Sequence, residues 1–211
     1  MDNPVIIFGA KGVAKPAMEI FKSNGVVIYC FLDDDKSLHG QEIDDVSILG
    51  RTDDDGYLKL IGKKCEAFVA TDDNALRKSL TKMLNTKRKV QVVNAVHQAT
   101  SIAPSAAIGH GNFVNAGVTV GAFSKIGNHC LLHSHSTIDY EATVGDFVQI
   151  GGGVVIGSGA VIENEVFIGS GATIIPGVKI GKGARIGAGS VVIGNVKAKQ
   201  TVFGNPANPV E

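Results

Sequence analysis

A glycine-bearing turn near the start of this 211-residue chain has the residue types that bind phosphate. Gly9-Ala10-Lys11-Gly12 follows the apolar run Val5 to Phe8 and precedes a predicted helix from about residue 13 to residue 22. Backbone N–H groups at a helix N-terminus hold phosphate, so this turn favours nucleotide binding. Asp33 and Asp34 follow about twenty residues later, where Rossmann-like domains place the acid that contacts a ribose. The alternative is an ordinary turn followed by solvated acids.

Strand and helix signals alternate around this turn. After the first strand and helix, the pattern predicts a strand at Val26 to Leu32, a strand at Ala67 to Ala70, an amphipathic helix at Asn74 to Leu84 and a closing strand at Val90 to Val93. This order predicts a small α/β domain with a parallel, Rossmann-like sheet. Such sheets bind ligands at the carboxyl ends of their strands.

A six-residue repeat organises the rest of the chain. From Ile102 to Val192 an Ile, Val or Leu occupies every sixth position. This period fits neither a helix nor a hairpin, and it predicts a β-solenoid in which three hexads make one triangular coil. The residue four places after each aliphatic is usually small or β-branched and can share the narrow interior, with Asn112 as the exception. Residues eighteen apart are therefore expected to stack on neighbouring coils.

Glycine usage marks the boundary between these two parts, because seven of the 27 glycines precede residue 98. We predict domains at residues 1–97 and 98–211. The chain has 20 basic and 20 acidic residues and no tryptophan, a composition that disfavours a nucleic-acid partner.

The cysteines and the chain's hydropathy bear on its compartment. Cys30, Cys65 and Cys130 are far apart and lack CxxC spacing, so we interpret them as small core residues rather than a disulfide framework or a metal site. The chain has no apolar run of membrane-spanning length, and its first residues lack the basic start of a signal peptide. We expect a cytoplasmic protein without membrane insertion.

Six short stretches, together with the hexad repeat, resemble the NeuD/PglD-like hexapeptide-repeat acyltransferases. They are Val5-Ile6-Ile7-Phe8-Gly9-Ala10, Phe31-Leu32-Asp33-Asp34, Ile48-Leu49-Gly50, Val144-Gly145-Asp146-Phe147, Pro176-Gly177-Val178 and Gly204-Asn205-Pro206-Ala207. This family comprises sialic-acid O-acetyltransferases and nucleotide-sugar N-acetyltransferases. The resemblance spans the whole chain and implies a left-handed parallel β-helix, a homotrimer and acetyl-CoA as co-substrate, without a metal.

The resemblance also implies two binding regions. A nucleotide-linked amino sugar is expected against the first domain, at Gly9, Lys11, Gly12, Val13, Asp33, Asp34 and Asp72. CoA is expected along the β-helix, at Gln149, Ser170 and Ala188. Lys179 and Lys197 are expected to stack and to meet the CoA phosphates; the alternative is that they only solubilise the surface.

Three histidines of the family are replaced in this chain. The catalytic histidine corresponds to Tyr140, the histidine that contacts CoA corresponds to Gln149, and the histidine of the glycine turn corresponds to Val13. The carboxylate partner of the catalytic base is retained as Glu141. A phenol, with an ordinary pKa near 10, is a poor base at neutral pH. Tyr140 is therefore expected to orient the acceptor or to donate to the oxyanion.

Other histidines offer a replacement base. His135 is the preferred candidate, because it occupies a corner five residues before Tyr140 and is expected to reach a shared cleft. The alternative is a surface histidine without a task. His133 and His135 are two residues apart and should point to different sides, so the pair does not indicate a zinc site.

The sequence thus predicts an acetyl-CoA-dependent N-acetyltransferase that modifies a nucleotide-linked amino sugar for surface glycan biosynthesis. An amine is favoured over an alcohol, since an alcohol depends more strongly on a base. Two alternatives remain: a catalytically degenerate homologue that binds a sugar nucleotide or a protein partner, and a sialic-acid-type sugar O-acetyltransferase. A structural or ice-binding solenoid is disfavoured, because the outward threonines form no single row.

Overall fold

A computed structural model describes residues 3–210, and the chain divides into two compact units between Gln98 and Ala99. The first unit contains β1 Val5–Phe8, α1 Ala14–Ser23, β2 Ile28–Leu32, a 3₁₀ turn Lys36–Leu38, β3 Glu42–Ile43, β4 Val46–Gly50, α2 Asp55–Leu58, β5 Glu66–Val69, α3 Asn74–Arg88 and β6 Ala95–Val96. Its sheet has the order β3-β4-β2-β1-β5, parallel apart from the β3–β4 pair. The predicted Rossmann-like α/β unit is therefore confirmed.

The central strand β1 is buried at all four of its residues. A parallel strand covered on both faces reads as a continuous apolar run, and Val5 to Phe8 has that pattern. The strand sends the chain into the glycine turn at its carboxyl end, beside the end of β2. The sheet therefore brings the turn and the first acidic residues to one edge.

The predicted closing strand at residues 90–93 is wrong. Val93 donates a backbone hydrogen bond to the Ala67 carbonyl at 3.0 Å, but the next strand, β6, begins only at Ala95. Val90 and Val92 pack on the hydrophobic core of this unit from a loop. Val92 is thus buried, and Val90 partly buried, without forming a strand ladder.

The second unit is a parallel β-helix. Its strands are β7 Ser101–Ile102, β8 Ala107–Ile108, β9 Phe113–Val114, β10 Thr119–Val120, β11 Lys125–Ile126, β12 Leu131–Leu132, β13 Thr137–Ile138, β14 Thr143–Val144, β15 Gln149–Ile150, β16 Val155–Ile156, β17 Val161–Ile162, β18 Phe167–Ile168, β19 Thr173–Ile174, β20 Lys179–Ile180, β21 Arg185–Ile186, β22 Val191–Val192, β23 Thr201–Gly204 and β24 Ala207–Pro209. Each aliphatic of the hexad repeat is the second residue of one of the two-residue strands. The sequence period thus sets the strand spacing.

Every third strand belongs to the same face of the helix. The first face has the order β22-β19-β16-β13-β10-β7, the second β20-β17-β14-β11-β8, and the third runs from β24 and β23 through β21-β18-β15-β12 to β9. Strand partners are eighteen residues apart, as in the Thr119 and Thr137 pair. This register confirms the predicted stacking for most of the helix.

Asn112 is a polar residue in the narrow interior, and both ends of its amide are hydrogen-bonded. Its Nδ2 donates to the Gly127 carbonyl at 2.9 Å, and its Oδ1 accepts from the Cys130 N–H at 2.7 Å. A buried amide is tolerated when its donors and acceptors are satisfied.

The last coil is shorter than the others. Ile180 pairs with Val196, and Arg185 pairs with Thr201, so partners here are sixteen residues apart. The antiparallel pair of β23 and β24 then ends the third face. No helix within residues 3–210 combines the length and the apolar character needed to cross a bilayer.

Candidate active site

The glycine turn after β1 is held in a tight conformation. Gly9 and Gly12 have φ angles of +102° and +55°, in the range that glycine adopts most readily. A Cβ added at Gly12 would overlap a carboxylate oxygen of Asp72, so this acid lies directly against the turn. Val13 is the residue before α1 and provides no side-chain cap. The structure therefore brings the predicted turn and Asp72 together.

Asp33 ties the end of β2 to the glycine turn. Its Oδ2 accepts a hydrogen bond from the Ala10 N–H at 2.9 Å, and its Oδ1 accepts from the Asp35 N–H at 2.9 Å. Asp34 instead accepts from the N–H and hydroxyl of Thr52 at 3.0 Å, just beyond β4. Of the two predicted acids, Asp33 is thus adjacent to the turn and Asp34 is directed to the neighbouring strand end.

Lys11 forms an ion pair that the sequence did not predict. Its Nζ lies 2.7 Å from Asp35 Oδ2. The hydrogen bond from Lys11, followed by those from Ser37, holds the pKa of the Asp35 carboxyl well below its usual range. The same contact with Asp35 raises the pKa of the Lys11 amine. The turn therefore carries a cation whose position is fixed by a neighbouring acid.

Tyr140 and Glu141 lie in a stack of turns that we call the Tyr140 corner, which comprises residues 121–124, 139–142 and 157–160. The Tyr140 side chain is exposed, its N–H donates to Asp139 Oδ1 at 2.8 Å and its carbonyl accepts from Gly159 at 3.0 Å. Glu141 is also exposed and has a φ of +59°. Asp139 thus stabilises the turn, while the phenol and the Glu141 carboxylate are both accessible to a ligand.

His135 lies at a different corner from Tyr140. The two residues flank opposite ends of β13, and the His135 ring packs over Gly117, where an added Cβ would overlap it. A two-residue strand with its turns separates the two positions, so the expectation of a shared cleft is wrong within one chain. The five-residue spacing suggested proximity, but it spans a complete side of the triangle.

A cavity of about 350 Å³ lies beside the corner that carries His135. It is lined by the predicted CoA residues Gln149 and Ser170 together with His133 and Phe167. Gln149 is in register with Phe167 on the third face. The structure thus brings two residues expected to contact CoA to one concave surface, and places an imidazole beside them.

Two further residues flank this cavity. The Arg185 guanidinium lies 4.6 Å from the centre of the Phe167 ring, in cation–π geometry, and thus contacts one of the residues that line the cavity. Ala188 is exposed one coil beyond Ser170, where the eighteen-residue register still holds. The Gly189 N–H donates to the Ser170 carbonyl at 2.9 Å, which joins the two coils at this point.

The predicted stacking of Lys179 and Lys197 is wrong. The shortened last coil places Asn195 next to Lys179, whose N–H donates to Asn195 Oδ1 at 2.8 Å. The Lys179 ammonium lies 2.7 Å from Glu163 Oε1, and this contact lowers the pKa of the Glu163 carboxyl. Lys179 is thus paired within the chain, and the two lysines do not form a cationic row.

Sequence reasoning missed several residues near these surfaces. Asp35 and Thr52 were overlooked because each is a hydrogen-bond partner of a predicted acid, Asp33 or Asp34. Phe167 was overlooked because a single aromatic residue in a strand does not by itself indicate a binding site. Phe123 at the Tyr140 corner could have been found by aligning corner positions, since a bulky residue stands where other coils have glycine. Within the part of the chain that the structure describes, no three His, Cys, Asp or Glu side chains are grouped to hold a metal.

Comparison with known families agrees with both units. The PglD N-terminal domain family matches residues 4–84, and the bacterial transferase hexapeptide family, with six repeats, matches residues 159–194. An uncharacterised protein of Acanthamoeba polyphaga mimivirus is 30% identical over 125 residues, which are 59% of this chain and 24% of that protein. The chain therefore spans about a quarter of the length of this curated relative.

Solved structures extend the likeness to the whole chain. A variant of GDP-perosamine N-acetyltransferase from Caulobacter crescentus, in complex with CoA and GDP-perosamine, has a TM-score of 0.91 and 28% identity over 100% of this chain and 98% of that chain. The acetyltransferase domain of PglB from Neisseria gonorrhoeae, with acetyl coenzyme A, has a TM-score of 0.89 and 25% identity, with each chain covered completely.

The fold and these likenesses define the class of the protein as a hexapeptide-repeat acyltransferase. Within that class, the chain carries the N-terminal domain of the PglD family at residues 4–84 and is similar over its whole length to the acetyltransferase domain of PglB.

Proposed function

We propose that this protein is an acetyl-CoA-dependent N-acetyltransferase that modifies a nucleotide-linked amino sugar for surface glycan biosynthesis. The amine nitrogen attacks the thioester carbonyl, an N–C bond forms, and the C–S bond breaks. One proton leaves the nitrogen, and the CoA sulfur leaves as the thiol. The products are the acetamido sugar nucleotide and free CoA.

The full-length likeness to GDP-perosamine N-acetyltransferase carries this proposal, because that protein was solved with both CoA and GDP-perosamine. The arrangement in this chain supports the same division of tasks. The glycine turn offers backbone N–H groups, and Lys11 offers a cation, to a nucleotide diphosphate. The cavity at Gln149 and Ser170 is suited to part of CoA, and Arg185 supplies charge for a phosphate.

We assign the acceptor amine to the Tyr140 corner. In this proposal the Tyr140 hydroxyl donates a hydrogen bond to the developing oxyanion, and the Glu141 carboxylate stabilises the amine as it becomes positive. Positioning of this kind sustains amine transfer when a strong base is lacking, since proximity alone contributes large factors to bimolecular reactions. His135 remains a candidate base only if a second copy of the chain brings its corner to Tyr140.

A homotrimer in the cytoplasm is part of this proposal. The β-helix has flat faces whose coils contact only their neighbours, and such faces commonly pack against other copies. Cys30, Cys65 and Cys130 are all buried, as expected for small core residues.

A second candidate is a non-catalytic homologue that binds the sugar nucleotide. The observation in its favour is Tyr140, which stands where the family has its catalytic histidine. The residues of the glycine turn serve binding in both cases. Only product formation separates the two functions.

The test is incubation with acetyl-CoA and a panel of GDP-, UDP- and dTDP-linked sugars, each offered as an amino sugar and as the matching hydroxyl sugar. Thiol release and the mass of each sugar product are followed. We expect acetylation of amino sugars and little reaction of the hydroxyl partners. Sugar-nucleotide binding without thiol release would contradict the transferase and support the binding homologue. Preferential acetylation of the hydroxyl sugars would support the O-acetyltransferase instead.

A further inference from the structure

The first unit carries opposite charges at the two edges of its sheet. Acidic residues follow the strands at their carboxyl ends and form what we call the acidic edge: Asp33, Asp34 and Asp35 after β2, and Asp72 and Asp73 after β5. The opposite edge, where β5 begins, is basic. We call it the basic edge, and its residues are Lys59, Lys63, Lys64, Lys87, Arg88 and Lys89. The chain as a whole has 20 basic and 20 acidic residues, so this positive charge is local.

Hydrogen bonds join the two segments of the chain that form the basic edge. Arg88, the last residue of α3, donates from Nε and Nη2 to the Ile61 carbonyl at 3.3 Å and 3.0 Å, and from Nη2 to the Lys59 carbonyl at 3.3 Å. A cavity of about 330 Å³ at this junction is lined by Asp55, Leu58, Lys59, Lys87 and Arg88. The end of α3 is thus held against the loop of residues 59–64, which brings the basic side chains to one surface.

The positive charge of the basic edge is weakly compensated within the chain. The Lys87 ammonium lies 3.8 Å from Asp55 Oδ1, and the Asp55 side chain is 93% exposed. The other four lysines of the edge are exposed, and none of them forms an ion pair within the described part of the chain. Cations at the C-terminus of α3 complement the helix dipole, which accounts for Lys87 and Arg88. The dipole does not account for the lysines of the loop, whose mutual repulsion is relieved by salt or by an anionic partner.

The composition of the basic edge indicates the kind of partner. All of its residues except Arg88 are lysines, whose ammonium groups are point charges on flexible stems, and the Arg88 guanidinium is engaged with backbone carbonyls. Protein interfaces are depleted in lysine and enriched in aromatic residues, and the large exposed hydrophobic residues of the described chain lie outside residues 59–64 and 87–89. The neutral charge of the whole chain disfavours a nucleic acid. The basic edge therefore suits a diffuse anionic surface.

We propose that the basic edge docks on a membrane that contains anionic phospholipids. The lysine ammonium groups meet the headgroup phosphates, and no side chain enters the hydrocarbon. Each lysine near such a surface raises the affinity about five-fold, and salt weakens the attraction. The same surface repels the acidic edge, so the first unit is oriented with the glycine turn directed away from the membrane. This inference goes beyond the proposed function and does not depend on acetyl transfer.

Co-sedimentation of the full-length protein with lipid vesicles tests this docking. One set of vesicles contains phosphatidylglycerol and phosphatidylcholine, and the reference set contains phosphatidylcholine alone, each at low and at high salt. The variant Lys63→Gln/Lys64→Gln removes two charges from the basic edge. Lys125→Gln/Lys199→Gln is the matched control, because it removes the charges of two exposed lysines of the β-helix. The melting temperature, the oligomer mass and the affinity for transfer RNA are measured for each protein.

We expect the parent to bind the phosphatidylglycerol vesicles at low salt, to be released at high salt and not to bind phosphatidylcholine alone. Lys63→Gln/Lys64→Gln should lower the vesicle affinity about 25-fold, while the control variant should stay close to the parent. Equal binding by the two variants, or no binding by the parent at low salt, would overturn the inference.

Two further outcomes would reassign the basic edge and likewise overturn the membrane docking. A change in oligomer mass confined to Lys63→Gln/Lys64→Gln would make the edge a contact between subunits. Tighter binding of transfer RNA than of vesicles, lost in the same variant, would make it a nucleic-acid surface. Melting temperatures close to that of the parent would show that either result reflects the surface and not the fold.

Discussion

The Asp33 carboxylate accepts the backbone N–H of Ala10 at 2.9 Å and thereby joins the end of β2 to the glycine turn after β1. The second oxygen accepts from Asp35, whose own carboxylate pairs with Lys11. One acid thus fixes the backbone of the turn and indirectly the cation beside it. If the turn binds the nucleotide as we propose, Asp33 contributes by holding the backbone of the turn.

Asp33→Ala should therefore weaken sugar-nucleotide binding about ten-fold or more, because it removes a hydrogen bond made by a charged group. Asp33→Asn retains an oxygen acceptor and should lose less. Titration calorimetry with the sugar nucleotide measures both, and the affinity for acetyl-CoA serves as an internal control. Equal affinity of the parent and Asp33→Ala would count against this position of the nucleotide pocket.

Gly12→Ala separates the conformational cost of the turn from its contact with Asp72. Gly25→Ala is the matched control, since Gly25 has a φ of +72° and no heavy atom near its added Cβ. Gly25→Ala should lower the free energy of unfolding by about 1 kcal/mol, the cost of a left-handed alanine, and Gly12→Ala should lower it further because its methyl also overlaps Asp72. Only Gly12→Ala should also reduce sugar-nucleotide affinity, because the new methyl displaces Asp72. Chemical denaturation and calorimetry report the two effects, and equal affinities in both variants would contradict a binding role for the turn.

The Lys11 and Asp35 pair predicts a pH dependence with a defined sign. The pKa of the folded Asp35 carboxyl lies below its ordinary value of 3.8, so the contribution of the pair to stability is complete above about pH 4 and is lost as the pH falls through the folded pKa. Because the pair is largely exposed, the change in stability should be small.

Lys11→Met should raise the pKa of Asp35 towards its ordinary value, and an NMR titration of the carboxyl carbons would measure it. Lys22→Met is a matched control, because Lys22 forms a separate 2.7 Å pair with Asp44. An Asp35 pKa that does not move in Lys11→Met would show that Lys11 is not its partner in solution.

Ser170→Leu should obstruct the cavity that we assign to CoA. The added side chain would occupy part of the about 350 Å³ space between His133, Gln149 and Phe167. The KM for acetyl-CoA is expected to rise about ten-fold or more, while the KM for the sugar nucleotide stays the same. Steady-state kinetics with each substrate varied in turn would show the difference. A rise confined to the sugar nucleotide would place CoA elsewhere.

The hexad repeat allowed the β-helix to be predicted in detail, because each aliphatic has one direction available to it, into a narrow interior. The last coil departed from this register because Ile180 pairs with Val196, a shortening that the aliphatic pattern does not record. The predicted stacking of Lys179 and Lys197 was wrong for that reason. In the first unit, the prediction of a strand at residues 90–93 was wrong, because an apolar residue buried in a loop, such as Val92, gives the same sequence pattern as one buried in a strand.

The candidate site was predictable where it follows from local sequence. The turn at Gly9 and Gly12 has a local signature, and the contact of Asp72 with it follows from parallel strands ending at one edge. Spacing could not show that His135 and Tyr140 flank opposite ends of β13, because a short separation along the chain still spans one side of a triangular coil. The sequence likewise did not predict that His133 lines a cavity, because the other lining residues, such as Gln149 and Phe167, come from later coils.

The turnover of Tyr140→His and Tyr140→Phe tests most directly whether acetyl transfer takes place at the Tyr140 corner. With an amino sugar nucleotide and acetyl-CoA, Tyr140→His should raise kcat by about 10²-fold or more, the contribution of a positioned general base. Tyr140→Phe should lower kcat without changing the KM for acetyl-CoA. If the parent and both variants turn over at the same rate, the reaction takes place elsewhere and the central assignment is wrong.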